Sequence, residues 1–375
     1  MKRSMVTLAV LGAISGAALA QSSVTLYGIL DVGYQWNEVP TNVGTTAAPH
    51  IQQESYSAIN SGHVYGPRWG LRGSEDLGGG WKAIFTLESG FNVDTGTSGQ
   101  GGRLFGRQAF VGVDSGLGTL VAGRLATFSS GTGSFDMFSR VDPFVTGFGL
   151  AGIANTFISA NALRVDNAIA YRSPKFAGFQ GGIGYSTNFS GTEQAPSGEN
   201  TTAFISGLTW EMGPLYAVVT YDAIDPADSL NGPSQKNLQI GGTFDISAFR
   251  LHAAYADQSN IGLVALQPGL GSGSFVPLPA GIPHYDSSSY MLGATWTIGE
   301  FAVFGSYQWA DADGQTTAAG VNFEPDYNIW GIGGTWNLSR RTTLYTSYAS
   351  RDADGTLQGN TFNAKQFAVG IVHRF

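Results

Sequence analysis

Two arginines, Arg68 and Arg72, lie four residues apart, and this spacing gives them a common direction in an extended chain. Successive side chains of a β-strand point to opposite faces, so these arginines share one face while Trp69 and Leu71 share the other. If the ring and the leucine face lipid, both guanidinium groups face a wet interior. A guanidinium stays charged when partly desolvated and offers a planar fork of donors. The pair therefore suits a fixed row of positive charge along which anions could move.

The same reasoning gives Glu88 a place on the wet face. In the segment 81–91, Lys82, Thr86 and Glu88 alternate with Trp81 and other apolar residues. Arginine outnumbers lysine by 14 to 5 in the whole chain, which favours fixed, always charged groups. The alternative for each charged residue is a solvated side chain without a special role.

Patterns that would support catalysis or metal binding are weak. Asp-Ala-Asp-Gly at 311–314 and at 352–355 resembles the start of a calcium loop, but neither run has the required glutamate six residues after the glycine. No serine lies in a recognisable nucleophile context. The five histidines show neither HExxH nor HxH spacing: His50, His63, His252, His284 and His373. The sequence therefore predicts no metal site, no cofactor and no enzyme.

Composition narrows the class of protein. Charged residues make up 12% of the 375 residues, about half the usual share, and the mean hydropathy is near zero. Cysteine is absent, so the sequence predicts no disulfide framework. After the first 20 residues no apolar run of about 20 residues follows, as a membrane helix would need. A barrel wall that is apolar outside and polar inside averages to such a hydropathy.

The first 20 residues have the organisation of a secretory signal. Lys2 and Arg3 precede an apolar run that ends in Ala-Leu-Ala before Gln21. We expect residues 1–20 to be a signal peptide and residues 21–375 to form one barrel domain. Removal of Lys2 and Arg3 would change the formal net charge from −8 to −10.

Alternating segments of about ten residues recur along the chain and predict β-strands. In the segment 24–36, Val24, Leu26, Leu30, Val32, Tyr34 and Trp36 share one face. The terminal stretch 364–375 alternates in the same way and ends on Phe375. An unpaired strand edge invites aggregation, and in lipid only helices and closed barrels satisfy all backbone groups. We therefore expect the last strand to pair with the first and close a barrel.

The connections between these segments alternate between short and long. Seven short turns fall near residues 76–80, 115–118, 173–178, 212–214, 245–247, 298–300 and 337–341, and eight longer loops lie between them. Short turns on one rim and long loops on the other are typical of outer-membrane barrels. Counting around these connections predicts an all-β, 16-stranded antiparallel transmembrane β-barrel, wide enough for a water-filled channel.

Five runs of the sequence resemble the general diffusion porins of Gram-negative bacteria, in particular the betaproteobacterial branch. The resemblance spans the full length, and the order of the runs is specific. They are SVTLYGILDVGY at 23–34, RWGLRGSEDLGGGWKAIFTLESGF at 68–91, LFGRQAFVGV at 104–113, DNAIAYRSP at 166–174 and VGIVHRF at 369–375.

The resemblance implies a homotrimer of 16-stranded barrels in the outer membrane, in contact with its lipids and lipopolysaccharide. It also implies that the third long loop, 126–163, folds inward to make the constriction, with Arg107 and Arg124 extending the row begun by Arg68 and Arg72. Opposing carboxylates would be Asp136 and Asp142 on that loop, with Glu88 as a further lumen residue. Phe375 is similar to the terminal signal that barrel-assembly machinery recognises in this family.

The expected function is passive diffusion of small hydrophilic solutes and ions, with no nucleic acid as partner. A substrate-selective channel, for instance for organic anions, is an alternative of the same architecture. An outer-membrane enzyme and a secreted β-rich adhesin are further alternatives from other classes. Most aromatic residues near strand ends, among them Trp81, Phe110, Trp296 and Trp336, share parity with outward apolar residues and predict girdles at the membrane interfaces.

Overall fold

The computed structural model describes most of the barrel and parts of its long loops. It covers residues 23–42, 51–145, 147–157, 164–262, 284–313, 315–316, 322–323, 326–353, 356–357, 360–361 and 363–375. The predicted signal peptide, residues 1–20, lies outside the described residues. In the part of the chain that is described, no helix is both long and apolar enough to cross a membrane.

Twenty-one strands and one short helix, α1 (Ala154–Phe157), make up the described secondary structure apart from 3-10 turns. The strands are β1 (Ser23–Asn42), β2 (Ile51–Ser61), β3 (Arg68–Gly78), β4 (Trp81–Gly90), β5 (Gln108–Ser115), β6 (Gly118–Ala126), β7 (Arg164–Arg172), β8 (Phe179–Ser186), β9 (Thr202–Met212), β10 (Leu215–Asp225), β11 (Gln235–Ile246), β12 (Phe249–Gly262), β13 (His284–Ile298), β14 (Phe301–Ala312), β15 (Gln315–Thr316), β16 (Asn322–Phe323), β17 (Tyr327–Asn337), β18 (Thr342–Ala353), β19 (Thr356–Leu357), β20 (Asn360–Thr361) and β21 (Ala364–Arg374).

The wall is a closed antiparallel barrel of 16 strand positions. Neighbouring strands pair in chain order from β3 to β14, then through β17, β18 and β21 back to β1. β2 and β3 follow one another along the same edge of β1 and so fill a single position. The pairs β15–β16 and β19–β20 are small hairpins outside the wall. The predicted all-β, 16-stranded antiparallel fold is confirmed.

The two ends of the chain close the barrel, as predicted from the terminal strand. β1 pairs with β21 from Ile29 opposite Arg374 to Glu38 opposite Lys365. The backbone of Phe375 continues this ladder, because its N–H and C=O both bond to Gly28 at 3.1 Å. No edge of the wall is then left open at the seam between first and last strand.

Turn chemistry explains the tight rim. The hairpin between β3 and β4 contains Gly78, Gly79 and Gly80, whose φ angles are +83°, +61° and +81°. These left-handed conformations suit glycine, which has no Cβ to clash. The side chain of Asp76 supports the turn by accepting the Gly78 N–H at 2.8 Å.

The third long loop folds into the barrel, as expected. Its described parts, 127–145 and 147–157, carry seven of the largest buried side chains among the described residues: Phe128, Phe135, Phe138, Phe144, Phe148, Ile153 and Phe157, each at most 2% exposed. Burial of this apolar surface is the main term that holds the loop inside. We refer to residues 127–163 as loop 3.

Glycines on the inner wall make room for loop 3. A Cβ at Gly241 of β11 would lie 2.8 Å from Val141, and one at Gly293 of β13 would lie 2.9 Å from Pro143. At Gly331 of β17 an added Cβ would lie 2.9 Å from Ala151. At these positions the loop packs directly on the backbone of the wall, because glycine has no side chain.

Wall side chains also bond the loop backbone. Gln239 Nε2 donates to the carbonyl of Phe157 at 2.8 Å, and Gln308 Nε2 donates to that of Ala151 at 2.7 Å. Further along, the Leu150 N–H donates to Gln366 Oε1 at 2.8 Å. These bonds satisfy loop carbonyls and amides that would otherwise be buried without partners.

Aromatic residues near the tight rim face outward, with one exception to the prediction. Phe249 stacks on Trp296 with ring centroids 5.6 Å apart, and Phe301 stacks on Trp336 at 5.3 Å. Phe110, predicted to belong to the outer girdle, instead points inward and is 6% exposed. Its ring meets Phe135 of loop 3 edge to face, because the loop provides an apolar partner inside the barrel.

Candidate pore constriction

An arginine–glutamate cluster lies on the inner wall where β3, β4 and β5 meet. Glu88 accepts a hydrogen bond from Arg107 Nε at 2.7 Å and another from the Tyr27 hydroxyl at 2.9 Å. Arg68 approaches the same carboxylate at 3.9 Å. We call Tyr27, Arg68, Glu88 and Arg107 the Glu88 cluster. Two guanidinium groups share one carboxylate, which leaves positive charge in excess.

The strand register explains why these residues meet. Arg68 pairs with Gly90 and Gly70 pairs with Glu88 in the β3–β4 ladder, so Arg68 and Glu88 lie diagonally on one face. The Arg107 N–H donates to the Glu88 carbonyl at 3.1 Å and starts the ladder to β5. The alternation found in the sequence places Arg68 and Glu88 on one face, and the register of the β3–β4 hairpin brings them together.

Loop 3 begins against this cluster. Arg107 Nη2 donates to Thr132 Oγ1 at 3.0 Å. On the other side, Arg164 Nε donates to the Arg107 carbonyl at 3.1 Å. Arg107 is 5% exposed, and these two bonds join the wall to both ends of loop 3.

Arg72 has the opposite character. It is exposed, and its guanidinium lies over the Tyr27 ring at 5.2 Å from the centroid. An arginine over an aromatic face is favoured by the ring quadrupole. Among the predicted arginines, Arg72 thus combines solvent exposure with a fixed position.

Arg124 belongs to a second cluster centred on Asp166 at the start of β7. It forms a short ion pair with Asp166 and donates through Nε to the Gly106 carbonyl at 2.8 Å. Arg103 Nη1 donates to both oxygens of the same carboxylate, at 2.9 and 2.7 Å. The Gly191 N–H adds a bond to Asp166 at 2.9 Å. The Asp166 cluster therefore ties two separate loops, the one that carries Arg103 and Gly106 and the one that carries Gly191, to the wall.

The loop carboxylates Asp136 and Asp142 lie elsewhere than expected. Asp136 accepts backbone N–H groups from Gly131, Phe138 and Ser139 at 2.8 to 3.1 Å. Asp142 is 3% exposed and accepts the Phe144 and Ile153 N–H groups at 2.9 Å. We expected both carboxylates to face the arginines, but the structure places them against the backbone of loop 3. Short polar side chains bond to nearby backbone in turns. Asp136 and Asp142 make such bonds, and these bonds direct them toward the loop.

Burial raises the pKa of Asp136 to about 6, against the lowering effect of its bonds from loop backbone and Ser139. The bonds that Asp136 accepts from the N–H groups of Gly131, Phe138 and Ser139 assign it a structural role within loop 3. Arg140, on the same loop, pairs with Glu211 of β9 at 2.6 Å. This ion pair fastens loop 3 to the wall beyond the arginine clusters.

Sequence reasoning missed three residues of the site: Arg103, Arg164 and Asp166 were not predicted as pore residues. Their charges act on one another and on the predicted arginines. The two clusters and their neighbours Arg72 and Arg164 together contain six arginines and two carboxylates, Glu88 and Asp166. Within the described residues no group of three or more His, Cys, Asp or Glu side chains could hold a metal ion.

A closed barrel with apolar residues outside, a folded-in loop and charged groups facing inward defines a membrane channel protein of the porin class. Residues 7–356 match the family model described as Gram-negative porin. An outer membrane porin protein of Bordetella pertussis is 35% identical, with 100% of both chains covered. Outer membrane porin protein 32 of Delftia acidovorans is 33% identical over 93% of this chain and 89% of its own length.

Solved structures agree on the fold. The anion-selective porin from Comamonas acidovorans has a TM-score of 0.68 at 22% identity, covering 94% of this chain and 100% of that one. This chain belongs to the Gram-negative porin family. It is an outer-membrane β-barrel that forms a channel for diffusion, and the predictions of family, location and function are confirmed.

Proposed function

We propose that the channel is a general, passive pore for small hydrophilic solutes and ions, with a constriction lined on one side by Arg68, Arg72, Arg107 and Arg124. Glu88 and Asp166 neutralise part of this charge, whereas Asp136 and Asp142 shape loop 3. The observation that carries the proposal is the excess of arginine over carboxylate on the wall beside the start of loop 3.

This charge balance favours anions. Six arginines against two carboxylates leave four positive charges in excess near the narrowest part of the lumen. Charges of one sign in a cleft with low-dielectric walls raise the local concentration of the opposite ion. The description of the Comamonas porin as anion-selective agrees with the same preference.

A substrate-selective channel for organic anions is the second candidate. The exposed guanidinium of Arg72 above the Tyr27 ring supports it, because such a pair offers both charge and an aromatic face to a carboxylate-bearing solute. Conductance that saturates with one organic anion would favour this reading over a general pore.

The functional unit is a homotrimer embedded in outer-membrane lipid and lipopolysaccharide. Residues 1–20 direct export and are then removed, and Phe375 serves as the signal for barrel-assembly machinery. The channel carries out no catalysis. Family membership and the apolar outer wall support these points.

Bilayer recordings test the proposal. The purified protein is reconstituted in a planar bilayer with KCl at two concentrations, and the reversal potential is measured. We expect open channels and a reversal potential displaced toward that of chloride. A bilayer that stays electrically silent would refute the pore, and a potential displaced toward potassium would refute the arginine-lined constriction.

A further inference from the structure

A patch of polar side chains lies buried between loop 3 and the inner wall, away from the arginine clusters. Thr220 and Asp222 of β10 and Asn237 and Gln239 of β11 are each at most 1% exposed. Asp222 pairs with Asn237, and Thr220 pairs with Gln239, in the β10–β11 ladder. Directly opposed residues of a ladder have Cβ atoms about 5 Å apart, so the four side chains form a compact square.

Loop 3 covers these four side chains but satisfies only part of their hydrogen-bonding capacity. Ser129 donates a short hydrogen bond to Asp222 Oδ2, and Gln239 donates through Nε2 to the Phe157 carbonyl. Four oxygen atoms remain without a hydrogen-bond partner among the described residues. They are Asp222 Oδ1, Asn237 Oδ1, Gln239 Oε1 and Thr220 Oγ1, and the amide nitrogen of Asn237 also lacks a partner.

This arrangement is costly unless something binds there. A buried acceptor without a partner costs about 1–3 kcal/mol, and a buried carboxylate needs a counter-charge. Asp222 takes part in none of the ion pairs among the described residues. Natural structures keep few such groups, and each requires an explanation.

A single cation accounts for all four oxygens. A proton on Asp222 would neutralise that carboxyl and supply one donor, which serves at most one of the two amide oxygens. The Thr220 hydroxyl and the Asn237 amide group reach none of these oxygens in the observed geometry. A hard cation takes oxygen ligands from carboxylates, amides and hydroxyls together. One carboxylate supplies one negative charge, so a monovalent ion leaves the buried site neutral.

We propose that a monovalent alkali cation binds between loop 3 and the wall, with Asp222 as its charged ligand and Thr220, Asn237 and Gln239 as neutral ligands. The ion links β10 and β11 to the part of loop 3 that carries Ser129. It thereby helps to hold the start of loop 3 at the position that sets the width of the pore.

Thermal unfolding in detergent gives the first test. The folded protein is heated in NaCl and in choline chloride at equal ionic strength, since choline is too large for the site. We expect a lower midpoint in choline for the wild type and equal midpoints for Asp222→Asn. Asp257→Asn, which changes an exposed carboxylate of β12, should keep the wild-type response. Equal wild-type midpoints in the two salts would overturn the proposal.

A second variant and a direct observation guard against misfolding of Asp222→Asn. Thr220→Val keeps the charge and removes one oxygen, so its midpoint should respond less to the choline exchange than the wild type. Crystals of the wild type grown in RbCl should show an anomalous peak within coordination distance of Asp222. Electron density there without anomalous signal would identify a water molecule and overturn the cation.

Discussion

Replacement of Glu88 by Gln tests how the arginines are held in the constriction. Glu88 and Arg107 have side chains 4% and 5% exposed and meet at 2.7 Å. The substitution keeps the shape and removes the charge that Arg68 and Arg107 share. Both guanidinium groups would then face one another without a counter-ion.

The stability loss can be bounded from this geometry. Removing one partner of a buried pair typically costs about 3–5 kcal/mol. Arg107 keeps its bond to Thr132, and the lumen offers water to Arg68, so we expect about 3 kcal/mol, at the lower end of that range. The selectivity change follows from Coulomb's law: one added positive charge acts on an ion about 8 Å away in water by about 0.5 kcal/mol, roughly a twofold gain for a monovalent anion.

Two measurements check these values. Urea unfolding of the refolded barrel gives the change in stability, and the reversal potential in a KCl gradient gives the change in selectivity. Glu75→Gln, an exposed carboxylate on the same strand β3, is the matched control and should leave stability unchanged. If Glu88→Gln leaves both quantities at their wild-type values, the carboxylate does not organise the arginines and the proposed cluster is wrong.

Four further changes have defined outcomes. Replacement of both Arg72 and Arg107 by Gln should move the reversal potential toward that of the cation. An unchanged potential would show that these arginines do not line the constriction. Gly331→Val should lower single-channel conductance by pushing loop 3 into the lumen, whereas Gly334→Val, where an added Cβ meets only a carbonyl at 3.4 Å, should not. Deletion of Phe375 should reduce assembled trimer in the outer membrane, and an undiminished yield would contradict its role. Burial lowers the pKa of His63 to about 4. As pH falls below about 6.5, His63 therefore takes up a proton in the unfolded chain before it does so in the folded barrel. Up to about 3 kcal/mol of stability is lost between about pH 6.5 and pH 4. His63→Gln should remove this dependence of the unfolding free energy on pH.

The barrel could be predicted from sequence because its determinants are local. Alternation with period two fixes which side chains face inward, and the difference between short and long connections fixes the strand count. Arg68 and Glu88 meet because both lie on the inner face of adjacent strands. Parity places them on one face, and the register of the hairpin, set by its short turn, makes them neighbours.

The Asp166 cluster could not be predicted in the same way. Arg103 lies in a loop 63 residues before Asp166, and no periodic pattern sets its direction. The roles of Asp136 and Asp142 also depended on the tertiary fold of loop 3. Charge alone suggested that they oppose the arginines, whereas local bonds to backbone N–H groups determine where they point.

A signal for the placement of loop 3 was nevertheless present in its composition. Phe128, Phe135, Phe138, Phe144 and Phe148 are many large apolar side chains for a segment that borders a water-filled lumen. They require an apolar or empty surface to pack on, and glycines at inward positions of the wall provide one. The inward-facing ring of Phe110 also packs on an apolar partner, because Phe135 of loop 3 covers it.

These contacts divide the pore wall into two kinds of surface. From β11 to β17 glycines on the inner wall leave space, and apolar side chains of loop 3 fill that space and exclude water. From β3 to β7 the wall carries the arginines, and loop 3 meets Arg107 there through Thr132. The width of the channel is then set by packing on one side, while its charge is set by the other. A change in a wall glycine should therefore alter conductance with little effect on ion preference, and a change in an arginine should do the reverse.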